Sequence, residues 1–333
     1  MIKIIRPGLL TSIQDLGRYG YQKYGVIASG AMDQLSHRIA NLLAGNDENE
    51  PAIEITLMGP LIEFQVDAFI SICGGDLSPS IDGKPVRTWR LLFVKSGSRL
   101  SFGAPVSGSR AYLAVSGGLS IEKVMNSRST YLRAEIGGYE GRPLEQGDIL
   151  KTRNSSSISP RAAEHLMGKA SGKSFAEMEW TVAPEFLPAL HGRTSIRVLK
   201  GRQHHLFSES SRKAFFSEHF AVTPQSDRMG SRLKGASLEL SKPQELISEA
   251  VSFGTIQVPA EGNPIVLLAD RQTTGGYPKI GQIASVDLPV FAQTKPGDEI
   301  LFREISHEEA QQLYLKREQE LKHLKHAIRL KLK

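Results

Sequence analysis

The chain carries one set of motifs twice, in the same order, and that order limits what it can fold into. VKSGSRLSF at 94–102 and TKPGDEILF at 294–302 share Lys, Gly and Phe at one offset. More loosely, IKIIRPG (2–8) resembles IRVLKGR (196–202), SGAMD (29–33) resembles SDRMG (226–230), and EITLMGP (54–60) resembles EAVSFGT (249–255). A repeat of this length reads as a duplicated domain, because solenoid units run only about 20–50 residues. The 333 residues leave room for two such domains.

Most readable elements in each half are strands. AIEITLMG, LIEFQV, AFISICGG, RLLFVK, RLSFG and RAYLAVSGG come first, followed by SIRVLKG, ELISEAVSFGTIQVP, PIVLLAD and EILFREI. They are short, rich in β-branched and aromatic residues, and punctuated by glycine and proline, which suits a barrel or sandwich. One helix interrupts the first half. In SGAMDQLSHRIANLLAGN, Met32, Leu35, Ile39, Leu42 and Leu43 form an apolar stripe, with Ser29 as the expected cap and Gly45-Asn46 as the stop.

The expected organisation is a domain at 1–150, a linker at 151–190 opened by NSSSISP, a second domain at 191–305 and a charged helix at 306–333. Ser306 and Glu309 form a capping box for that helix, and Ala310, Leu313, Leu321, Leu324 and Ile328 recur at helical spacing. It is expected to pack on the body or a partner and to fray at its basic end.

Several function classes are disfavoured. The N-terminus lacks a signal-peptide core and no apolar run is long enough for a membrane span, so a soluble cytoplasmic protein is expected. The net charge of +6 is concentrated at 316–333, where seven Lys or Arg face two Glu, a pattern of a solvated helix end that argues against a nucleic-acid partner. Cys73, the single cysteine, lies in an apolar run and reads as a buried thiol. The sequence lacks G-x-x-x-x-G-K-[ST], H-E-x-x-H and any zinc-type Cys/His cluster, so neither a nucleotide motif nor a metal is expected.

The chemistry-bearing residues lie in glycine-containing polar segments. TSIQDLGRYG (11–20) holds Gln14, Asp15 and Arg18, and an Asp-Arg pair beside a turn reads first as a structural ion pair. SRSTY (127–131) and GGYEGR (137–142) supply hydroxyls and a guanidinium at a glycine-rich edge, suited to an anion or to tight barrel turns. In the second half, Arg228 falls where SGAMD, with Asp33, falls in the first. Gln257 in GTIQVP is a buried strand amide that needs partners. ADRQTTGGYPKIGQIA (269–284) then opens a loop at Asp270, where Gln272, Thr273, Thr274, Tyr277 and Lys279 surround two glycines able to admit close approach.

Long strings carry a family resemblance: LTSIQDLGRYGYQKYGVIASGAMD, AIEITLMGP, GSRAYLAVSGGL, SRSTY, GGYEGRPLEQGD, SDRMGSRLKG, GTIQVP and, above all, DRQTTGGYPKIG. In order and over residues 1–302, they resemble the biotin-dependent carboxyltransferase-type family of KipA and the C subunits of bacterial 5-oxoprolinase. They are also similar to one half of the carboxyltransferase region of urea carboxylase. The resemblance implies mainly β structure, with two tandem cyclophilin-like barrels. It implies a function in company: the chain would work with a KipI-like B subunit and with an A subunit to open 5-oxoproline to glutamate at the expense of ATP. Two alternatives travel with it, a non-catalytic antagonist of a KipI-like inhibitor of a sporulation histidine kinase, and a carboxyltransferase subunit for a urea-like substrate. The chain lacks an A-M-K-M-type biotinylation sequence, so covalent biotin is not expected.

Overall fold

The computed structural model describes residues 1–154, 158–188 and 194–333. They form two compact units. The first comprises Met1–Arg18, Ser29–Ala189 and Glu320–Lys333, and the second Tyr19–Ala28 and Leu190–Gln319.

The first unit is built in layers. One six-stranded sheet runs, edge to edge, through Ile149–Leu150, Ile2–Arg6, Leu61–Phe64, Arg99–Ser101, Ser80–Ile81 and Lys84–Pro85. The other runs through Phe175–Glu177, Leu91–Val94, Ala68–Asp76, Ser107–Val115, Ala52–Thr56 and Leu10–Gln14. Side chains alternate across a strand, so one strand can serve two cores. Ala111, Leu113 and Val115 face the apolar layer shared with Ile4, Ile62 and Phe64 of the first sheet. Tyr112 and Ala114 face a second core, shared with Leu42 and Leu43 of the helix Gln34–Leu43 and Leu166 of the helix Pro160–Lys169. Burial on both faces explains why RLLFVK and AYLAV read as nearly unbroken apolar runs.

The stretch expected as a linker belongs to this unit. Leu166, Ala170, Ala176, Met178, Val182 and Phe186 all enter the second core, and Phe175–Glu177 pairs with Leu91–Val94. Its helix has Ser159 as N-cap and Pro160 in the first turn, a start signal lying within NSSSISP, of which Ser155, Ser156 and Ser157 fall outside the described residues.

The C-terminal helix, His307–Lys331, begins on the expected capping box: Ser306 Oγ accepts from Glu309 N–H, and Glu309 accepts from Ser306 N–H. Its basic end is packed rather than frayed. Leu321, Ile328 and Leu332 enter the second core of the first unit, Leu332 O accepts from Ser159 N–H, and Lys325 Nζ lies 2.9 Å from Glu48. Replacing Ile328, 2% exposed, by alanine is expected to cost about 2–5 kcal/mol of first-unit stability, measured by urea denaturation.

The second unit is a closed barrel. Thr194–Lys200, Lys279–Ile283, Thr255–Gln257, Ile265–Leu267, Gly230–Lys234, His219–Val222 and Glu299–Glu304 pair in turn, and the last returns to the first in parallel. Phe215, from the helix Glu209–Ser217, stacks within 4.8 Å of Phe302.

The 94–102 and 294–302 match has a local cause. In both, a glycine at positive φ, Gly97 at 83° and Gly297 at 92°, donates its N–H to the adjacent strand, to Phe64 O and Val222 O. The same turn occurs a third time, where Gly147 at φ 97° donates to Ile4 O. The shared letters therefore encode a strand-entry turn, which requires glycine wherever it is used. Barrel closure is found in the second unit, while the first is two sheets with helices.

Candidate functional site

The polar segments of the first unit hold one another. Asp15, at the end of Leu10–Gln14, accepts from Gly17 N–H at 2.8 Å, Ser127 Oγ at 2.7 Å, Ser129 Oγ at 2.5 Å and Arg128 N–H at 2.6 Å. Arg18 donates from Nε to Val124 O and from Nη2 to Ser129 O. Both residues are buried, and both engage the segment 124–129, over a hundred positions away. Gly137 has no room for a side chain, because a Cβ there would sit 2.3 Å from Ser129 O and 2.6 Å from Arg18 Nη2. Gln14 is also buried; its Nε2 donates to Ser12 Oγ and Thr130 O, while its Oε1 has no partner among the described residues.

Asp33 corrects the expected helix start. The helix begins at Gln34, and Asp33, not Ser29, caps it by accepting from Ser36 N–H and Ser36 Oγ. Ser29 and Gly30 both have positive φ, which keeps the chain out of the helix there. Tyr112 Oη accepts from Asp33 N–H and donates to Glu54, whose carboxylate also accepts from Met32 N–H. Burial raises the Tyr112 phenol well above its ordinary range, so it stays a neutral donor.

Glu54, Tyr112 and His37 were missed in the sequence, although Asp33, His37 and Asn41 recur every four residues, a polar stripe opposite the apolar one. His37 Nε2 donates to Gln14 O at 3.1 Å, which fixes the neutral tautomer. Burial holds its pKa below the ordinary 6.5, with the Asp15 charge opposing. The unfolded chain therefore binds a proton below pH 6.5 that the folded one resists, and stability falls as pH drops below that value. The slope approaches about 1.4 kcal/mol per pH unit at most, and His37→Gln should flatten it in urea denaturation followed across about pH 5–7.

In the second unit the loop after Ile265–Leu267 opens at Asp270, as expected. Asp270 forms a bidentate pair with Arg228, with both contacts at 3.0 Å and each side chain 5% exposed. Arg228 therefore braces the loop base rather than facing outward. Beyond it, Thr274–Gly275 pairs with Glu249–Ala250 as a small two-stranded sheet separate from the barrel. Thr274 and Tyr277 are exposed on this flap, Gln272 and Thr273 are half-buried, and Lys279 returns the chain to the barrel wall.

Gln257 and Lys279 are cross-strand partners, so their side chains share a face, and Gly275 lies against both. A Cβ on Gly275 would come within 2.4 Å of Gln257 Nε2, which is why the flap carries glycine there. Lys279 Nζ contacts Gly275 O at 3.3 Å and Glu249 at 3.4 Å. Gln203 and Glu249, absent from the sequence-based candidates, complete the cluster: Gln203 Nε2 donates to Glu249 at 3.1 Å. This arrangement offers amide and ammonium donors beneath a small flap, suited to an oxyanion or carbonyl oxygen.

Residues 24–304 match the family model described as carboxyltransferase domain, subdomain A and B. The chain belongs to that carboxyltransferase-domain family. It is 39% identical over 318 residues to the C subunit of 5-oxoprolinase from Haemophilus influenzae, covering 96% of each chain. The corresponding C subunit of 5-oxoprolinase from Escherichia coli is 40% identical over 311 residues, covering 93% of each. The crystal structure of the K. lactis urea amidolyase superposes with a TM-score of 0.84 at 32% identity, over 96% of this chain and 19% of that one. The resemblance carried by the long strings is thus confirmed. No helix among the described residues of this carboxyltransferase-domain protein is long and apolar enough to cross a membrane.

Proposed function

We propose that this chain is the C subunit of an ATP-dependent 5-oxoprolinase of the cytoplasm, acting with an A subunit together with a KipI-like B subunit. The observation that carries this reading is the near end-to-end match, at about 40% identity, to two proteins named as that subunit. The same reading carries the expectation that the two units are cyclophilin-like copies of one fold.

The chemistry explains a multi-subunit enzyme. A lactam is a resonance-stabilised amide, and opening it breaks the ring C–N bond, places a water hydroxyl on the carbonyl carbon and a proton on the nitrogen. ATP supplies the activation: its γ-phosphoryl group passes to the carbonyl oxygen with release of ADP, the water opens the ring to an acyl phosphate, and a second water releases inorganic phosphate to leave the free carboxylate. This chain's contribution is binding and orientation. Negative charge that builds on the carbonyl oxygen is best met by donors already in place, and the Thr273 and Thr274 hydroxyls are of that kind. Neither covalent biotin nor a metal enters this reading.

Co-purification with the A and B subunits, followed by a 5-oxoproline-dependent ATPase assay, tests it. Turnover that requires this chain is expected, and unchanged turnover on its omission contradicts the proposal. The likeness to urea amidolyase favours a second reading, a carboxyltransferase subunit. That one predicts carboxyl transfer to a urea-like substrate once a separate biotin carrier and carboxylase are added.

A further inference from the structure

Glu249 sits among hydrogen-bond donors that belong to other elements. Its Oε2 accepts from Gln203 Nε2 at 3.1 Å and faces Lys279 Nζ at 3.4 Å, and its Oε1 faces Arg202 Nη1 at 3.3 Å. The orientation of the Gln203 amide is fixed independently: its Oε1 accepts from Lys279 N–H while its own backbone N–H donates to Lys279 O, so Nε2 must point at the carboxylate. Beside them, Gln257, 1% exposed, presents an Nε2 with no partner among the described residues. Three of these donor groups are set on or against the barrel strands, and all of them are complementary to one carboxylate.

Glu249 itself is held loosely. It lies on a two-residue strand outside the barrel, after a segment, 241–248, that is largely exposed and without regular structure. Its side chain is about one-third exposed, while that of Lys279 is almost covered. A buried ammonium and a buried amide need an anionic or carbonyl partner, whereas an exposed glutamate does not need them.

We infer that Lys279, Gln257, Gln203 and Arg202 form a binding site for a small carboxylate ligand, and that Glu249 is a resident placeholder which the ligand displaces. A ligand carboxylate takes over the contacts to Lys279 and Gln203 and adds Gln257, and Glu249 swings out with its short strand. Only the choice of 5-oxoproline as the ligand rests on the functional reading above.

The test is equilibrium binding to the full chain, by isothermal titration, of 5-oxoproline, acetate and the uncharged lactam 2-pyrrolidinone. Glu249→Gln removes the placeholder charge and is expected to tighten 5-oxoproline and acetate by about tenfold, the size of one charge-assisted hydrogen bond. Lys279→Met and Gln257→Leu should each weaken them by about tenfold or more, with 2-pyrrolidinone binding less well throughout. Melting temperature checks folding, and Gln203→Leu replaces either donor variant that does not fold. Unchanged or weaker binding by Glu249→Gln, or equal binding of 2-pyrrolidinone, overturns the inference. Carboxylate binding without 5-oxoproline turnover by the assembled complex leaves this site standing and removes the oxoprolinase reading; turnover without carboxylate binding does the reverse.

Discussion

Replacing Asp270 with alanine is expected to destabilise the barrel unit by about 3–5 kcal/mol, because it strips the carboxylate from a guanidinium buried at Arg228. The size follows from the geometry: both contacts are 3.0 Å, both side chains are 5% exposed, and solvent cannot reach in to replace the lost partner. Breaking a buried pair costs far more than the pair contributes, so the paired replacement Arg228→Met with Asp270→Leu should recover most of the loss. Both tryptophans, Trp89 and Trp180, lie in the first unit, so hydrogen exchange of the barrel amides, not fluorescence, is the appropriate measurement.

The second large effect belongs to Asp15. Alanine there removes the acceptor of Gly17 N–H, Arg128 N–H and two serine hydroxyls at once. Hydrogen bonds to a charged group are each worth about 1.5–3 kcal/mol, and even with the hydroxyls free to turn elsewhere the loss should reach about 4 kcal/mol. Asparagine keeps the acceptor on one side and should lose roughly half as much. Trp fluorescence under urea reports this unit directly.

These two residues also show what could be read from the chain alone. Asp15 and Arg18 were legible as a structural pair of groups at a strand end, but not as the clamp on 124–129, because no local pattern joins positions 114 apart. Arg228 and Asp270 were each legible as chemically active, yet their pairing depends on two strands meeting side by side, which burial of both charges then makes obligatory. Gln257 was read as a buried amide in need of a partner, and it is one. Glu249 and Gln203 were not legible: they flank Lys279 only because the flap folds back over the barrel wall. The polar stripe of Asp33, His37 and Asn41 was present in the spacing but hidden by the stronger apolar one. Strand positions were largely legible from β-branched runs, while the 151–190 stretch concealed its helix and edge strand because its apolar residues are sparse and split between two short elements.

The most direct measurement is glutamate formation from 5-oxoproline by the A and B subunits joined with this chain, with its Thr273→Ala/Thr274→Ala variant, and without it. The account predicts full, reduced and abolished turnover, in that order. Equal turnover in all three would contradict it, and would leave the chain outside the reaction.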